Sequence, residues 1–215
     1  MARERTAQAV RDAKRAGAEG VGDAPASNPR TLRVRRSLLD ATFKLVGERP
    51  VGELTLSEIA QAAGVSRPTV YKQFTDVPTL AAAAAVRFMR QIFDRIDDRI
   101  EVGDDRAYLV EMMRLFIDEV YRERTFCRNA MYGPSAATIA AEVADLIRER
   151  MSGRLVGRRL SAHGTLAAED EMAALSAGVI WLLTRWLASD FEGDNAPDRM
   201  AQRIAGTLFQ LSGAE

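Results

Sequence analysis

Apolar residues recur every three or four positions through most of this chain, and short polar breaks rich in glycine, proline or aspartate separate the periodic segments. This spacing puts the apolar side chains on one face of an α-helix, where they can be buried together. The pattern therefore predicts an all-α fold. The predicted helices are 31–47, 55–63, 66–74, 78–100, 106–123, 136–160, 167–189 and 198–211, with a short helix and loop between 125 and 134.

Two of these helices are short and adjacent, and the segment 55–74 that holds them carries strong local signals. Thr55, followed three residues later by Glu58, has the pattern of a capping box at a helix start. Gly64 is expected to end the first short helix, because glycine adopts the left-handed backbone conformation without steric cost. Ser66 is the expected N-cap of the second. The segment therefore predicts two helices joined by a tight turn.

The second short helix has two chemically different faces. Val70 and Phe74 are four residues apart, so they share a face that can pack on the first short helix. The opposite face and the flanks carry Pro68, Thr69, Tyr71 and Lys72. A helix-turn-helix uses this arrangement to lay its second helix in the DNA major groove.

These residues resemble a known family at the level of motifs. The runs 55–60, 63–66 and 69–74 are similar to the DNA-binding domain of the TetR (tetracycline-repressor-like) family. The most specific feature is a tyrosine and a phenylalanine, three residues apart, after a Gly-Val-Ser turn. The resemblance covers roughly residues 31–85, and the remainder agrees only in length and helical layout.

The resemblance implies an N-terminal three-helix helix-turn-helix DNA-binding domain, followed by a larger helical domain for effector binding and dimerisation. We predict a mobile N-terminal tail at 1–30, the DNA-binding domain at 31–77 and the ligand-binding and dimerisation domain at 78–215. The implied partners are a double-stranded DNA operator, a small-molecule effector and a second copy of the chain, which pairs through the last two long helices.

The implied function is transcriptional regulation, with a repressor leaving a palindromic operator when a small apolar or aromatic molecule binds. Two alternatives are open. The chain could be an activator with the same architecture, or a ligand-binding or interaction protein that keeps the helix-turn-helix only as a scaffold.

Each polar residue of the reading segment has an expected role. Arg67 is the candidate for base readout, because arginine can pair with guanine through two hydrogen bonds. Pro68 and Thr69 can touch thymine methyl groups, whereas Tyr71 and Lys72 are expected on phosphates. The full set of predicted DNA contacts is Thr55, Ser66, Arg67, Pro68, Thr69, Tyr71, Lys72 and Gln73.

One position departs from the family pattern. Many relatives carry a lysine two or three residues after the phenylalanine, where the fourth helix begins and touches a phosphate. Val77-Pro78 occupies that place here, so we assign no such contact. Thr75 or Asp76 is the expected cap of the fourth helix.

The formal net charge of zero conceals an asymmetry along the chain. Residues 1–75 hold 13 Lys and Arg against 8 Asp and Glu, while residues 76–215 hold 17 against 22. Basic charge is thus concentrated beside the reading segment, as a phosphate-contacting module requires. Both the N-terminal tail and the arginines at the start of the first helix have two open interpretations, phosphate contact or a solvated surface; the latter residues are Arg33, Arg35 and Arg36.

The segment 106–123 is apolar around most of its predicted circumference, which is typical of a helix buried in the middle of a domain. Its adjacent methionines, Met112 and Met113, would make an adaptable lining. The segment is either the wall of a pocket for an apolar or aromatic molecule or plain core. The candidate ligand-binding residues are Met89, Met112, Phe116, Tyr132 and Trp181.

The residues that usually carry catalysis or bind metals are scarce. The chain has one histidine, His163, and one cysteine, Cys127, and neither lies in a recognisable motif. We therefore predict no enzyme activity, no cofactor and no metal site. No apolar run reaches the length of a membrane span and no signal peptide is visible, so a cytoplasmic location is expected.

Overall fold

The computed structural model describes residues 28–97, 99, 105–152 and 168–211, and all regular secondary structure within these ranges is helical. The prediction of an all-α fold is confirmed. The described ranges hold nine α-helices and two 3-10 turns, at Val51–Glu53 and Gly193–Asn195. The helices are α1 (Pro29–Glu48), α2 (Leu56–Ala62), α3 (Arg67–Tyr71), α4 (Val77–Asp97), α5 (Asp105–Arg122), α6 (Arg124–Met131), α7 (Ala136–Ser152), α8 (Ala168–Leu187) and α9 (Pro197–Leu211).

Several predicted features lie outside the described residues. They are residues 1–27 of the N-terminal tail, the break at Gly103-Asp104, the helix end at 153–160 and the loop that carries His163. α1 begins at Pro29, and the predicted mobile tail at 1–30 stays a prediction.

The chain divides into two compact units, Met1–Val34 and Arg35–Glu215. In the first unit, the side-chain oxygen of Asn28 accepts a hydrogen bond of 3.0 Å from the backbone N–H of Arg30 at the start of α1. Leu32, in the first turn, is 55% exposed. The seven-residue spacing of Leu32, Leu39 and Val46 predicts a buried stripe on this helix, and the exposure of Leu32 shows that its place in that stripe is wrong. The predicted boundary at residue 77 falls inside the second unit and stays a prediction.

The reading segment forms as its capping signals predict. Thr55 Oγ1 accepts the backbone N–H of Glu58 at 3.2 Å, and the Glu58 carboxylate accepts the backbone N–H of Thr55 at 2.8 Å. The Glu58 carboxylate also accepts hydrogen bonds from the Thr55 hydroxyl and the Arg49 guanidinium, and these bonds, with that from the Thr55 backbone N–H, hold the pKa of Glu58 below its ordinary value. Gly64 has a φ of 65° and ends α2, as expected for a glycine in the left-handed conformation. The capping-box prediction is confirmed.

The other helices of the second unit form two main packing layers. α5 packs most extensively on α9, and α7 packs against both α4 and α8. α9 contributes one buried face to this core, formed by Met200, Ala201, Ile204, Ala205 and Leu208. The largest fully buried side chain of α8 is Trp186, whose indole N–H donates to the carbonyl of Asn195 at 2.7 Å.

Another face of α8 is left uncovered in the single chain. Trp181 on this face is 57% exposed, and the small residues Ala174, Ala177 and Gly178 are exposed beside it. The guanidinium of Arg185 lies 4.7 Å from the Trp181 ring centroid. An exposed indole among small residues is typical of a surface that another protein covers.

Candidate nucleic-acid interface and effector cavity

α3 is held by one side and exposed on the other. Val70 is fully buried and Phe74 is 4% exposed, and both belong to a core that includes the fully buried Ile59 of α2. Because these residues anchor one side, the other side faces solvent. It carries Tyr71, which is 59% exposed, and the exposed residues Arg67, Pro68 and Lys72.

The two cations of this surface are available for a partner. Neither Arg67 nor Lys72 makes a salt bridge or a side-chain hydrogen bond with any residue that the structure describes. Arg67 is the first residue of α3, and Lys72 is its C-cap. In a helix-turn-helix the first residues of the second helix are those that contact base edges. The arrangement therefore suits Arg67 to bases and Lys72 to the backbone.

The hydroxyl groups of this surface are already engaged. Ser66 takes the N-cap position of α3 but makes no capping bond with its side chain. Its hydroxyl is instead 2.7 Å from the hydroxyl of Thr69. The prediction of a side-chain cap is wrong, because Pro68 has no N–H and the Thr69 N–H donates to the Ser66 carbonyl at 2.9 Å. The Thr55 hydroxyl also donates to Glu58 at 2.7 Å, so its main role is to cap α2.

The Gln73 side chain points toward the protein interior, although the sequence predicts that it contacts DNA. Its side-chain Oε1 is buried and accepts no hydrogen bond from the described residues. This atom is not offered to a ligand at the surface in this conformation. The prediction that Gln73 touches DNA stays a prediction, and it now requires the amide to rotate outward.

One arginine of α1 has a structural role that the sequence did not predict. The Arg35 guanidinium lies 5.0 Å from the centroid of the Phe74 ring, which is the distance of a cation–π contact. Phe74 follows α3, so this contact ties α1 to the end of the reading helix. Arg33 and Arg36 are exposed, and both interpretations of their charge remain open.

The start of α4 carries an anion where the family pattern has a cation. Asp76 Oδ1 accepts the backbone N–H of Thr79 at 2.7 Å, which confirms that a residue at 75–76 caps this helix. This hydrogen bond to the backbone, and a second to the Thr79 side chain, lower the pKa of Asp76. The carboxylate is therefore ionised at neutral pH, and it would repel a phosphate near the N-terminus of α4.

Side chains of α4 and α6 hold the C-terminal half of α1. Arg87 of α4 donates to the Asp40 carboxylate at 2.6 Å and to the carbonyl of Arg36 at 3.2 Å. Asn129 of α6 donates to the carbonyl of Val46 at 2.7 Å. A cluster of three phenylalanines joins the same helices, with the rings of Phe43 and Phe126 4.1 Å apart and Phe88 beside both.

α6 also holds the C-terminal end of α8. Arg128 Nε donates to the carbonyl of Leu187 at 2.7 Å, and the Tyr132 hydroxyl donates to the carbonyl of Thr184 at 2.6 Å. One short helix thus bonds α1 on one side and α8 on the other. Phe126, Cys127 and Ala130 of α6 are buried.

The buried side of α6 faces a small cavity of about 50 Å³. Its wall comes from α4, α5, α6, α7 and α8 and is formed by apolar atoms. Two of the five predicted ligand-binding residues, Met89 and Phe116, lie in this wall. Burial raises the pKa of the Cys127 thiol, also in the wall, to about 12.

The other three predicted ligand-binding residues do not line this cavity, and their role in ligand binding stays a prediction. On α5 the neighbouring Met113, only 5% exposed, takes the core-facing position instead of Met112. Tyr132 is 53% exposed because its hydroxyl reaches outward to the end of α8. Trp181 lies on the uncovered face of α8, and Ile180 and Leu183 of that helix line the cavity instead.

Within the described ranges, no cluster of histidine, cysteine, aspartate and glutamate has the size and arrangement to bind a metal ion. None of the helices seen there combines the length and the apolar character that a bilayer span requires. α3 presents exposed cationic, phenolic and apolar groups side by side.

The geometry of α2, the Gly64 turn and α3 defines a helix-turn-helix DNA-binding module. Residues 38–86 match the family described as bacterial regulatory proteins, tetR family. Residues 38–86 are therefore a tetR-family domain, and the resemblance seen in the sequence is confirmed there.

Known proteins agree with this assignment. The transcriptional regulator AlkX of Mycobacterium tuberculosis is 33% identical over 88 residues, which are 40% of this chain and 42% of the regulator. The match thus spans about two fifths of the relative's length. The TetR-family repressor AlkX of a Dietzia strain, implicated in biodegradation of n-alkanes, has the same fold. It superposes with a TM-score of 0.58 at 20% identity, over 82% of this chain and 96% of that one.

A second solved structure supports the same fold. The fatty acid degradation regulator FadR of Bacillus halodurans superposes with a TM-score of 0.54 at 16% identity. The superposition covers 85% of this chain and 95% of FadR. Both superpositions extend well past residue 86, so the helices that follow the DNA-binding module also share the fold of these two structures.

Proposed function

We propose that this protein is a homodimeric transcriptional repressor that acts in the cytoplasm and leaves its operator when a small apolar or aromatic molecule binds. The observation that carries the proposal is the division of α3 into a buried face and an exposed face whose cations make no salt bridge with a described residue. The tetR-family match over residues 38–86 and the naming of its relatives as transcriptional regulators support it.

Reading a two-fold operator requires two copies of α3 at a fixed spacing. A dimer supplies this, with half-site centres about one helical turn of DNA apart. The exposed face of α8 around Trp181 suits the contact with the second copy, because its small residues allow close approach and its indole supplies apolar area. We assign the dimer contact to α8 and α9.

Release by an effector follows from where the cavity lies. Phe88 and Phe126 line the cavity and also contact Phe43 of α1. A molecule that enlarges the cavity can do so by moving one or both of these rings. Because α1 packs with the reading helix through Arg35 and Phe74, such a movement alters the orientation of the head. An effector that fits only the displaced state shifts the population toward it.

The direct test is binding to the DNA upstream of the gene for this protein, measured by fluorescence anisotropy at several salt concentrations. A repressor with this head binds that fragment more tightly than a scrambled fragment, and its affinity falls with salt as phosphate contacts release counterions. Equal and weak binding to both fragments would favour the alternative in which the helix-turn-helix is only a scaffold. A reporter gene driven by the fragment separates repressor from activator.

A further inference from the structure

The chemistry of the cavity wall restricts what it can bind. The residues around it include no aspartate, glutamate, lysine, arginine or histidine. They are aliphatic, aromatic or sulfur-containing, except for Thr184. A charged group taken into such a wall loses its hydration and gains no ionic partner in exchange.

The polar groups that do reach the wall are occupied or weak. The Thr184 hydroxyl donates to the carbonyl of Ile180 at 2.9 Å, and the Thr184 carbonyl accepts the Tyr132 hydroxyl. The Cys127 thiol, with a pKa near 12, stays protonated and offers only a weak hydrogen bond. No strong donor is therefore left to orient an anion inside.

Arg128, the arginine of α6 that follows the wall residue Cys127, does not line the cavity and is already engaged. Arg128 donates to the carbonyl of Leu187, and its guanidinium lies 5.6 Å from the ring centroid of Phe191. Met131, by contrast, lies in the cavity wall and is half-buried, so it forms part of the edge of the site. The edge that an entering molecule meets there is a thioether and not a charge.

Size adds a second restriction. The cavity of about 50 Å³ is much smaller than the roughly 300–1,000 Å³ of a typical ligand pocket. An occupant must therefore displace side chains in order to enter. Met89 and Met131 are unbranched and can adopt new rotamers without backbone movement, so a slender flexible chain enters with less disturbance than a rigid ring system.

We infer that the effector is an uncharged molecule with a slender hydrocarbon chain, and that the cavity discriminates against the carboxylate or amine of the same chain length. This inference rests on the proposed function only in that it calls the bound molecule an effector. The binding preference itself is a property of the wall, and it can be measured without DNA.

The test uses probes of equal chain length, namely octane, 1-octanol, octanoate and octylamine, at pH 7.5. Binding to the free protein is measured by thermal shift and by tryptophan fluorescence. We expect octane or 1-octanol to bind at a concentration at least roughly tenfold lower than either charged probe. Preferential binding of octanoate or octylamine overturns the inference, as does the absence of binding by both uncharged probes up to their solubility limits.

Two methionine variants test whether the probes bind in this cavity. Met131→Lys places a cation at the cavity wall, whereas Met112→Lys places the same cation at a half-buried methionine of α5 that does not line the cavity. Met131→Lys should raise affinity for octanoate by roughly tenfold or more through charge pairing. Met112→Lys should keep the wild-type order of affinities for the four probes. An equal effect of the two variants would show that the probes bind elsewhere.

DNA measurements separate this inference from the proposed function. If 1-octanol binds the free protein but leaves operator affinity unchanged, the wall preference stands and release by this cavity is refuted. If octanoate binds best and releases DNA, the proposed function stands and the inference on charge fails.

Discussion

Replacing Arg67 with alanine tests whether α3 reads bases. Arg67 is exposed and makes no salt bridge with a described residue, so its truncation removes no internal contact. The free energy of unfolding should change by less than about 0.5 kcal/mol. The whole effect of Arg67→Ala should therefore appear in DNA binding.

The size of the effect follows from the chemistry of arginine and the number of heads. A bidentate arginine–guanine pair contributes about 1–3 kcal/mol of discrimination. Two heads engage one operator, so the dimer should lose about 2–6 kcal/mol, which is roughly 30-fold or more in the dissociation constant. Arg67→Lys should recover part of the affinity but not the preference for guanine, because lysine has no planar fork.

The assay is fluorescence anisotropy with the operator and with operators changed at one base pair in each half-site. Wild-type protein should discriminate against one of these changes, and Arg67→Ala should bind that altered operator and the original alike. Arg90→Ala, at an exposed arginine of α4 outside the helix-turn-helix, serves as the control and should behave as wild type. Unchanged affinity and unchanged base preference in Arg67→Ala would refute the assignment.

Four further predictions test other parts of the account. Lys72→Ala should weaken binding to all sequences alike and reduce the salt slope by about one per phosphate lost; a change confined to one base position would instead make Lys72 a reader. Asp76→Asn should bind DNA more tightly with unchanged thermal stability, because asparagine caps a helix as well as aspartate and carries no charge; equal affinity at low salt would place Asp76 away from the DNA backbone. Asn129→Ala should lower the free energy of unfolding in urea by about 1–3 kcal/mol, since the carbonyl of Val46 loses its partner; no loss would mean that water replaces the amide. Trp181→Glu should convert the dimer to a monomer in sedimentation equilibrium and weaken operator binding; an intact dimer would move the interface off α8.

The head could be predicted from the sequence because its signals are local. A capping box, a glycine in the left-handed conformation and a proline in the first turn act within a few residues of themselves. The contact of Arg35 with Phe74 was not predictable in this way, because its partners are 39 positions apart and meet only through tertiary packing. The contact between the Ser66 and Thr69 hydroxyls was also not predicted, because it depends on which backbone N–H groups are already bonded.

The cavity was harder to predict than the head. On α5 the choice between Met112 and Met113 is a rotation of about 100° around the helix, which composition does not determine. On α8 the apolar residues surround the helix, so the pattern could not tell the face of Ile180 from that of Trp181. Which of two apolar faces is buried depends on the neighbouring helices, which the pattern of a single helix does not specify.

The role of α6 emerges only from the structure. Its eight residues, Arg124–Met131, are half apolar, and the sequence indicates only a short helix. In the fold it bonds the end of α1 through Asn129 and the end of α8 through Arg128, while its buried face lines the cavity. The predicted effector site, the reading head and the predicted dimer helix therefore share one small element.

The central claim is that two copies of α3 read a two-fold DNA site, and selection of bound sequences from a random duplex pool tests it most directly. The wild-type protein should enrich inverted repeats whose half-site centres lie about one helical turn, or a multiple of it, apart. Arg67→Ala should lose the enrichment at one base pair in each half-site. Sequences without an inverted repeat, or a pool that is no different from its starting composition, would contradict the claim.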